Sequence, residues 1–174
     1  MSTKLMPGTQ APGLSLPLVG GGTWDLSSQT ADPFTMVVFY RGLHCPVCKG
    51  YLGKLEALMD DYCAAGFSVV AVSMNDEAAA TQSVADWGIE KLPVAYGLDV
   101  ATAQAWGLYV SQSINDVEAD VFCEPGTFWI RPDGSLYLID IANMPWPRPD
   151  LEFLLSKVAL IKDRNYPTRG TYTG

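Results

Sequence analysis

The apolar positions of the chain divide it into alternating strand-like and helix-like segments. A nearly continuous apolar run, rich in β-branched and aromatic residues, covers 35–40 and predicts a strand buried on both faces. From Pro46 onward, apolar residues recur at helical spacing until Gly66, which predicts a helix with proline in its first turn. The sequence therefore predicts that a buried strand turns into a helix across residues 41–45.

Further strands and helices are predicted along the rest of the chain. They are a strand at 67–73, a helix at 77–87 closed by Gly88, a short strand at 94–96, a helical turn at 101–106, strands at 127–130 and 136–139, and a last helix capped by Asp150. The two late strands flank a Pro-Asp-Gly turn, so they are predicted to be antiparallel. Trp24 is assigned to an N-terminal hairpin. This order of elements predicts an α/β fold with a mixed central sheet and helices on both faces.

Composition limits the classes of protein and of partner. A chain of 174 residues has the usual size of one domain, so residues 1–174 are predicted to form a single domain. No run approaches the roughly 20 apolar residues of a membrane span, and the N-terminus lacks a secretory signal, so a cytoplasmic protein without a membrane partner is expected. The net charge of −8 and the scattered acidic residues argue against a nucleic-acid partner.

Two cysteines lie at the predicted strand-to-helix turn. Cys45 and Cys48 are three residues apart, which places them on one face of the first helical turn and within reach of a disulfide. The free amides and positive dipole end of a helix favour thiolate over thiol, and Arg41 would add positive charge. The pattern predicts a redox-active thiol pair.

The cysteines and His44 also allow other interpretations. A zinc site would need four ligands, whereas the chain has one close pair, a single histidine and two isolated cysteines, so no metal is predicted. His44 adjoins Cys45 and is a candidate base or a bystander. Cys63, further along the same predicted helix, is expected in the core, and Cys123 is either structural or an alternative resolving cysteine. No cofactor is predicted, because the glycine-rich segment 19–24 is not followed by a helix.

Three segments resemble a known family. Residues 6–12, 39–48 and 125–134 are similar to the alkyl hydroperoxide reductase/thiol-specific antioxidant family, and in particular to its peroxiredoxin-like branch with a Cys-Pro-x-Cys motif. Residues 142–149 and 166–170 also look like the tail of bacterial members. The resemblance extends from about Lys4 to Leu160.

The resemblance implies a thioredoxin-like three-layer sandwich with its site at the strand-to-helix turn. It implies that Pro125 and Thr127 lie in a loop facing that turn. Tyr40 and His44, which belong to the turn segment itself, are further candidate supporting residues. An external dithiol reductant, such as thioredoxin or glutaredoxin, and a homodimer are expected at the level of the family.

This chain departs from the usual peroxiredoxin motif, Pro-x-x-x-Thr-x-x-Cys. When Cys48 is aligned with the peroxidatic cysteine, Cys45 occupies the threonine position and Arg41 the proline position. Pro125 stands where an arginine is common.

The leading hypothesis is a thiol peroxidase that reduces hydrogen peroxide or organic hydroperoxides. One thiolate would form a sulfenic acid, which the other cysteine would condense into a Cys45–Cys48 disulfide. The alternatives are a thioredoxin-type disulfide reductase, in which Cys45 attacks first, and a non-catalytic redox-sensing or binding domain. Within the peroxidase hypothesis Cys48 is predicted to react first, because first-turn amides and Arg41 can converge on it, although Cys45 is expected to be more exposed.

Overall fold

The middle strand of the central sheet is buried along its whole length. The computed structural model describes residues 4–174. Its nine strands are β1 (Ser15–Pro17), β2 (Thr23–Asp25), β3 (Thr35–Phe39), β4 (Ser68–Val72), β5 (Val94–Ala95), β6 (Val110–Gln112), β7 (Val121–Cys123), β8 (Gly126–Ile130) and β9 (Leu136–Ile141). Five of them form one sheet in the order β5-β4-β3-β8-β9. Every residue of β3 is buried, as its continuous apolar run predicts.

The sheet is mixed, as predicted from the order of elements. Strand β4 pairs parallel with β3 and β5, whereas β8 pairs antiparallel with β3 and β9. Strands β1 and β2 form the predicted N-terminal hairpin, in which Trp24 lies opposite Leu16. Strands β6 and β7 form a second hairpin that the sequence did not predict.

Six helices cover the sheet. They are α1 (Pro46–Ala57), α2 (Met59–Ala64), α3 (Glu77–Trp87), α4 (Val100–Ala105), α5 (Leu151–Ser156) and α6 (Val158–Arg164). Alternate residues of β3 enter two hydrophobic clusters, one on each face of the sheet. Met36 and Val38 pack with α1, α2, α5 and α6, while Val37 and Phe39 pack with α4 and the first hairpin. The predicted arrangement of helices on both faces is confirmed.

The helix predicted to run from Pro46 to Gly66 is two helices instead. Leu58, with φ −95° and ψ 1°, separates α1 from α2, and its amide bonds to the carbonyls of both Lys54 and Leu55. Tyr62 is buried, whereas Cys63, the next residue, lies off the buried face of α2 and is exposed, so the prediction of a core role for Cys63 was wrong. The last helix is likewise divided, at Lys157, into α5 and α6.

None of the helices within residues 4–174 combines the length and apolar character that a membrane crossing requires.

Candidate active site

Cys45 occupies the N-cap of α1, directly after the turn that leaves β3. Its backbone is extended, with φ −101° and ψ 104°, and Pro46 follows in the first turn. The Cys45 Sγ atom accepts a hydrogen bond from the amide of Cys48 at 3.2 Å. A sulfur thus fills the position at which a serine or aspartate oxygen usually satisfies a free helix amide.

This position stabilises negative charge on Cys45. The pKa of Cys45 is lowered to about 6, chiefly by a hydrogen bond from the Cys48 thiol. The Cys48 amide, the charge of Arg148 and a smaller contribution from Arg41 act in the same direction, against a burial effect that raises the pKa. At neutral pH Cys45 is therefore mostly thiolate, the form that acts as a nucleophile.

Cys48 is the proton-bearing partner of the pair. Its side chain is fully buried in the core below α1, and burial followed by its hydrogen bond to Cys45 raises the pKa of Cys48. The guanidinium of Arg148 is close, with Nη2 at 3.0 Å from Cys48 Sγ and 4.0 Å from Cys45 Sγ. We nevertheless assign the charge to Cys45, because the Cys48 amide and thiol both donate to its sulfur.

The amide and thiol donors of the first turn are arranged differently from the expectation based on the sequence. The prediction chose Cys48 because donors were expected to converge there, whereas the first-turn amide and the neighbouring thiol converge on Cys45. The expected difference in exposure is absent, since Cys45 is 1% exposed and Cys48 is 0% exposed.

Arg148 was missed by the sequence analysis. It lies 100 residues after Cys48, in the proline-rich segment that connects β9 to α5. Its Nε donates to the carbonyl of Pro145 at 2.6 Å, and its guanidinium lies over the ring of Tyr51, 5.1 Å from the centroid. The available signal was a lone arginine among prolines in a segment that resembles the family tail.

Arg41 makes its closest contacts with two glutamates and an aromatic ring. Its Nε lies 3.1 Å from Glu124 Oε2, its Nη2 lies 3.4 Å from Glu118 Oε1, and the guanidinium stacks on Phe122. Among the groups that lower the pKa of Cys45, Arg41 has the smallest effect. Arg41 therefore mainly ties the β6–β7 hairpin to the β3–α1 turn and only secondarily supports the thiolate.

A known family profile covers most of the chain. Residues 7–139, which are more than half of the chain, match the profile of the AhpC/TSA family. The chain belongs to the AhpC/TSA family. Membership confirms the predicted family and its class of thiol-dependent antioxidant oxidoreductases. No match is found among curated proteins.

Several solved structures share the fold of this chain at low sequence identity. A peroxiredoxin-like protein from Aquifex aeolicus is 17% identical with a TM-score of 0.73, over 91% of this chain and 89% of that one. Peroxidoxin BcpB from Mycobacterium tuberculosis is 15% identical with a TM-score of 0.72, over 91% and 99%. A Chlorobium tepidum protein described as thiol:disulfide interchange protein DsbE is 23% identical with a TM-score of 0.66, over 90% and 97%. These similarities confirm the predicted thioredoxin-like sandwich.

Two of the predicted supporting residues, Pro125 and Thr127, lie where β8 begins, and β8 pairs with β3. Thr127 is buried on β8, opposite Val38 of β3, and its hydroxyl interacts with that of Tyr51. Pro125 precedes β8, and its carbonyl accepts the amide of Ala142 at 2.9 Å. Thr127 thus connects to Arg148 through the tyrosine ring on which the arginine stacks.

His44 and Tyr40 lie at the turn, and each packs against an aromatic ring. The His44 ring lies 4.6 Å from that of Phe122, and burial followed by the charge of Arg41 lowers the pKa of His44. The His44 side chain is therefore a neutral imidazole that packs against Phe122. Tyr40 packs edge-on against Trp87, and burial raises its pKa, which keeps its phenol neutral.

The two remaining cysteines differ in their surroundings. Cys123 is fully buried, burial raises its pKa to about 12, and its thiol donates to the carbonyl of Tyr40 at 3.4 Å. This environment suits a structural thiol. All four cysteines are free, and residues 4–174 contain no group of three or more His, Cys, Asp or Glu side chains that could hold a metal ion.

Proposed function

We propose that this protein reduces hydroperoxides through Cys45 and Cys48, with Cys45 as the attacking thiolate. The observation that carries the proposal is the N-cap sulfur of Cys45, which accepts the Cys48 amide at 3.2 Å and has a pKa lowered to about 6. A second thiol one turn away gives the oxidised sulfur an immediate partner.

The proposed cycle has three steps. The Cys45 thiolate attacks the terminal peroxide oxygen, the O–O bond breaks, and the departing alkoxide or hydroxide takes up a proton, which leaves a sulfenic acid on Cys45. The sulfur of Cys48 then attacks that of Cys45, the S–O bond breaks, and hydroxide leaves with the Cys48 proton as water. An external dithiol returns two electrons to the resulting disulfide and becomes oxidised itself.

Burial of both sulfurs favours a peroxide over a protein disulfide as the oxidising substrate. Cys45 is 1% exposed and Cys48 is 0% exposed, so hydrogen peroxide needs only a small movement to reach the reduced pair. A protein partner needs a larger local opening, which we assign to the oxidised form that the dithiol protein reduces. Arg148 and Tyr51 close the site from the side of the proline-rich segment.

The surface around the site suits a protein reductant. A groove of about 590 Å³ beside α1 is lined partly by Val47, Tyr51 and Trp146 and includes Arg148. Trp146 is 67% exposed. We propose that a dithiol protein of the thioredoxin or glutaredoxin class docks there with an apolar surface after the pair has been oxidised. A homodimer stays a prediction from the family resemblance.

A direct comparison of two substrates tests the proposed function. The protein is supplied with dithiothreitol and either hydrogen peroxide or insulin, and peroxide loss is measured beside insulin reduction. We expect peroxide consumption to exceed insulin reduction clearly. Cys63→Ser should behave like the wild type, because Cys63 is exposed on α2. Insulin reduction without peroxide consumption would support the disulfide-reductase alternative and contradict the proposal.

A further inference from the structure

Arg148 is held in place before any substrate arrives. Pro147 and Pro149 flank Arg148, and Pro145 lies two residues before Pro147. The backbone of this segment therefore has few accessible conformations. The Nε–Pro145 hydrogen bond and the Tyr51 ring fix the guanidinium, and the Tyr51 hydroxyl donates to the carbonyl of Pro149 at 2.9 Å. Side chain and segment are thus both tied to α1.

The guanidinium is closer to the sulfur that is neutral in the reduced protein. Nη2 lies 3.0 Å from Cys48 Sγ but 4.0 Å from Cys45 Sγ, the sulfur to which we assign the charge because it accepts the Cys48 amide. A guanidinium gains far more from a thiolate than from a neutral thiol. The position of Arg148 therefore matches a later stage of the cycle, when negative charge develops on Cys48.

We propose that Arg148 is a catalytic residue that stabilises the Cys48 thiolate while the Cys45–Cys48 disulfide forms and while it is reduced. The proposal rests on the proposed function for the forming step. Once Cys45 is a sulfenic acid, its sulfur is neutral and no longer attracts the proton of the Cys48 thiol. The guanidinium of Arg148 is then the charged group nearest to the Cys48 sulfur. The Cys48 proton leaves, an S–S bond to Cys45 forms, the S–O bond breaks, and hydroxide departs as water.

Reduction of the Cys45–Cys48 disulfide uses the same contact between Arg148 and Cys48. When a thiolate of the external dithiol attacks the sulfur of Cys45, the S–S bond breaks and its electron pair goes to Cys48. Cys48 then leaves as a thiolate beside Nη2 of Arg148. A leaving thiol of lower pKa leaves faster, so the arginine should accelerate reduction as well as formation of the disulfide.

The experiment separates the two chemical steps in Arg148→Met and Arg148→Lys. One equivalent of hydrogen peroxide is added to the reduced protein, and sulfenic acid on Cys45 and the disulfide are quantified over time by trapping and peptide mapping. In Arg148→Met we expect sulfenic acid to form within about threefold of the wild-type rate. Disulfide formation should slow by at least about tenfold, which is the effect on a rate of losing one hydrogen bond to a charged group.

Two features distinguish this role from a packing role. The slowed step in Arg148→Met should recover as pH rises, because hydroxide can replace the arginine in promoting the Cys48 thiolate. Arg148→Lys should retain part of the rate. Arg131→Met is the matched control, since Arg131 also stacks on a tyrosine, 4.8 Å from the Tyr137 ring centroid. It should leave both steps unchanged.

Reduction by dithiothreitol provides a test that does not depend on peroxidase activity. The disulfide is prepared with diamide, and its reduction should be at least about tenfold slower in Arg148→Met. A wild-type protein that peroxide does not oxidise would overturn the proposed function but leave this test intact. Unchanged rates of both disulfide formation and reduction in Arg148→Met would overturn the role of Arg148, as would a loss confined to sulfenic acid formation.

Discussion

The Cys45→Ser variant is expected to lose hydroperoxide turnover by at least about 10³-fold, because it lacks the thiolate that attacks the peroxide. Cys48→Ser should lose turnover with dithiol reductants as well, but for another reason. Its Cys45 should still be oxidised once by peroxide, and the sulfenic acid should persist because no thiol one turn away condenses with it. A sulfenic-acid-specific reagent and peptide mapping measure this directly.

The two variants must differ for this assignment to hold. The trapped adduct should appear on Cys45 in Cys48→Ser, and little adduct should appear on Cys48 in Cys45→Ser. Cys123→Ser serves as a second control, since the buried Cys123 thiol bonds to the Tyr40 carbonyl and takes no part in the proposed cycle. Adduct found chiefly on Cys48 in Cys45→Ser would reverse the assigned roles.

Arg41→Met is expected to lower the free energy of unfolding by about 3 kcal/mol, because it leaves a buried carboxylate without its cation. The Glu124 side chain is 4% exposed, and its Oε1 already accepts the Ser111 hydroxyl at 2.6 Å. The hydrogen bond from Ser111 does not replace the positive charge of Arg41. Urea denaturation followed by tryptophan fluorescence measures the change.

A double-mutant cycle assigns that loss to the ion pair. Combining Arg41→Met with Glu124→Gln removes both charges, so the double variant should be less destabilised than the sum of the two single variants. Arg131→Met, at an arginine that stacks on Tyr137 away from this pair, should change stability much less. Strict additivity of the two single changes would show that Arg41 and Glu124 do not stabilise the fold through each other.

The parts of the fold that the sequence predicted depend on short-range patterns. The continuous apolar run of β3 and the helical spacing after Pro46 lie within about 30 residues of each other, and together they determine where Cys45 and Cys48 lie. The Pro-Asp-Gly turn between β8 and β9 is equally local. The β6–β7 hairpin was missed because each strand has three residues and little alternation of buried and exposed positions.

The electrostatics of the site were harder to predict, because they depend on contacts across the chain. Arg41 was correctly placed near the turn, but its preference for Glu118 and Glu124 is set by a hairpin about 80 residues away. Arg148 reaches Cys48 from 100 residues downstream. The choice between Cys45 and Cys48 then depended on which sulfur accepts the Cys48 amide, which is a matter of side-chain geometry at the N-cap.

The central claim, that Cys45 carries the thiolate of the pair, is tested most directly by a pH titration of ultraviolet thiolate absorbance. A lowered pKa means that the thiolate is present above its midpoint and is lost as pH falls through it, so the reduced protein should show a step near pH 6. Cys63→Ser should keep that step and Cys45→Ser should lose it. A first step only near the ordinary cysteine value of about 8.5, or a step near pH 6 that survives in Cys45→Ser, would contradict the account.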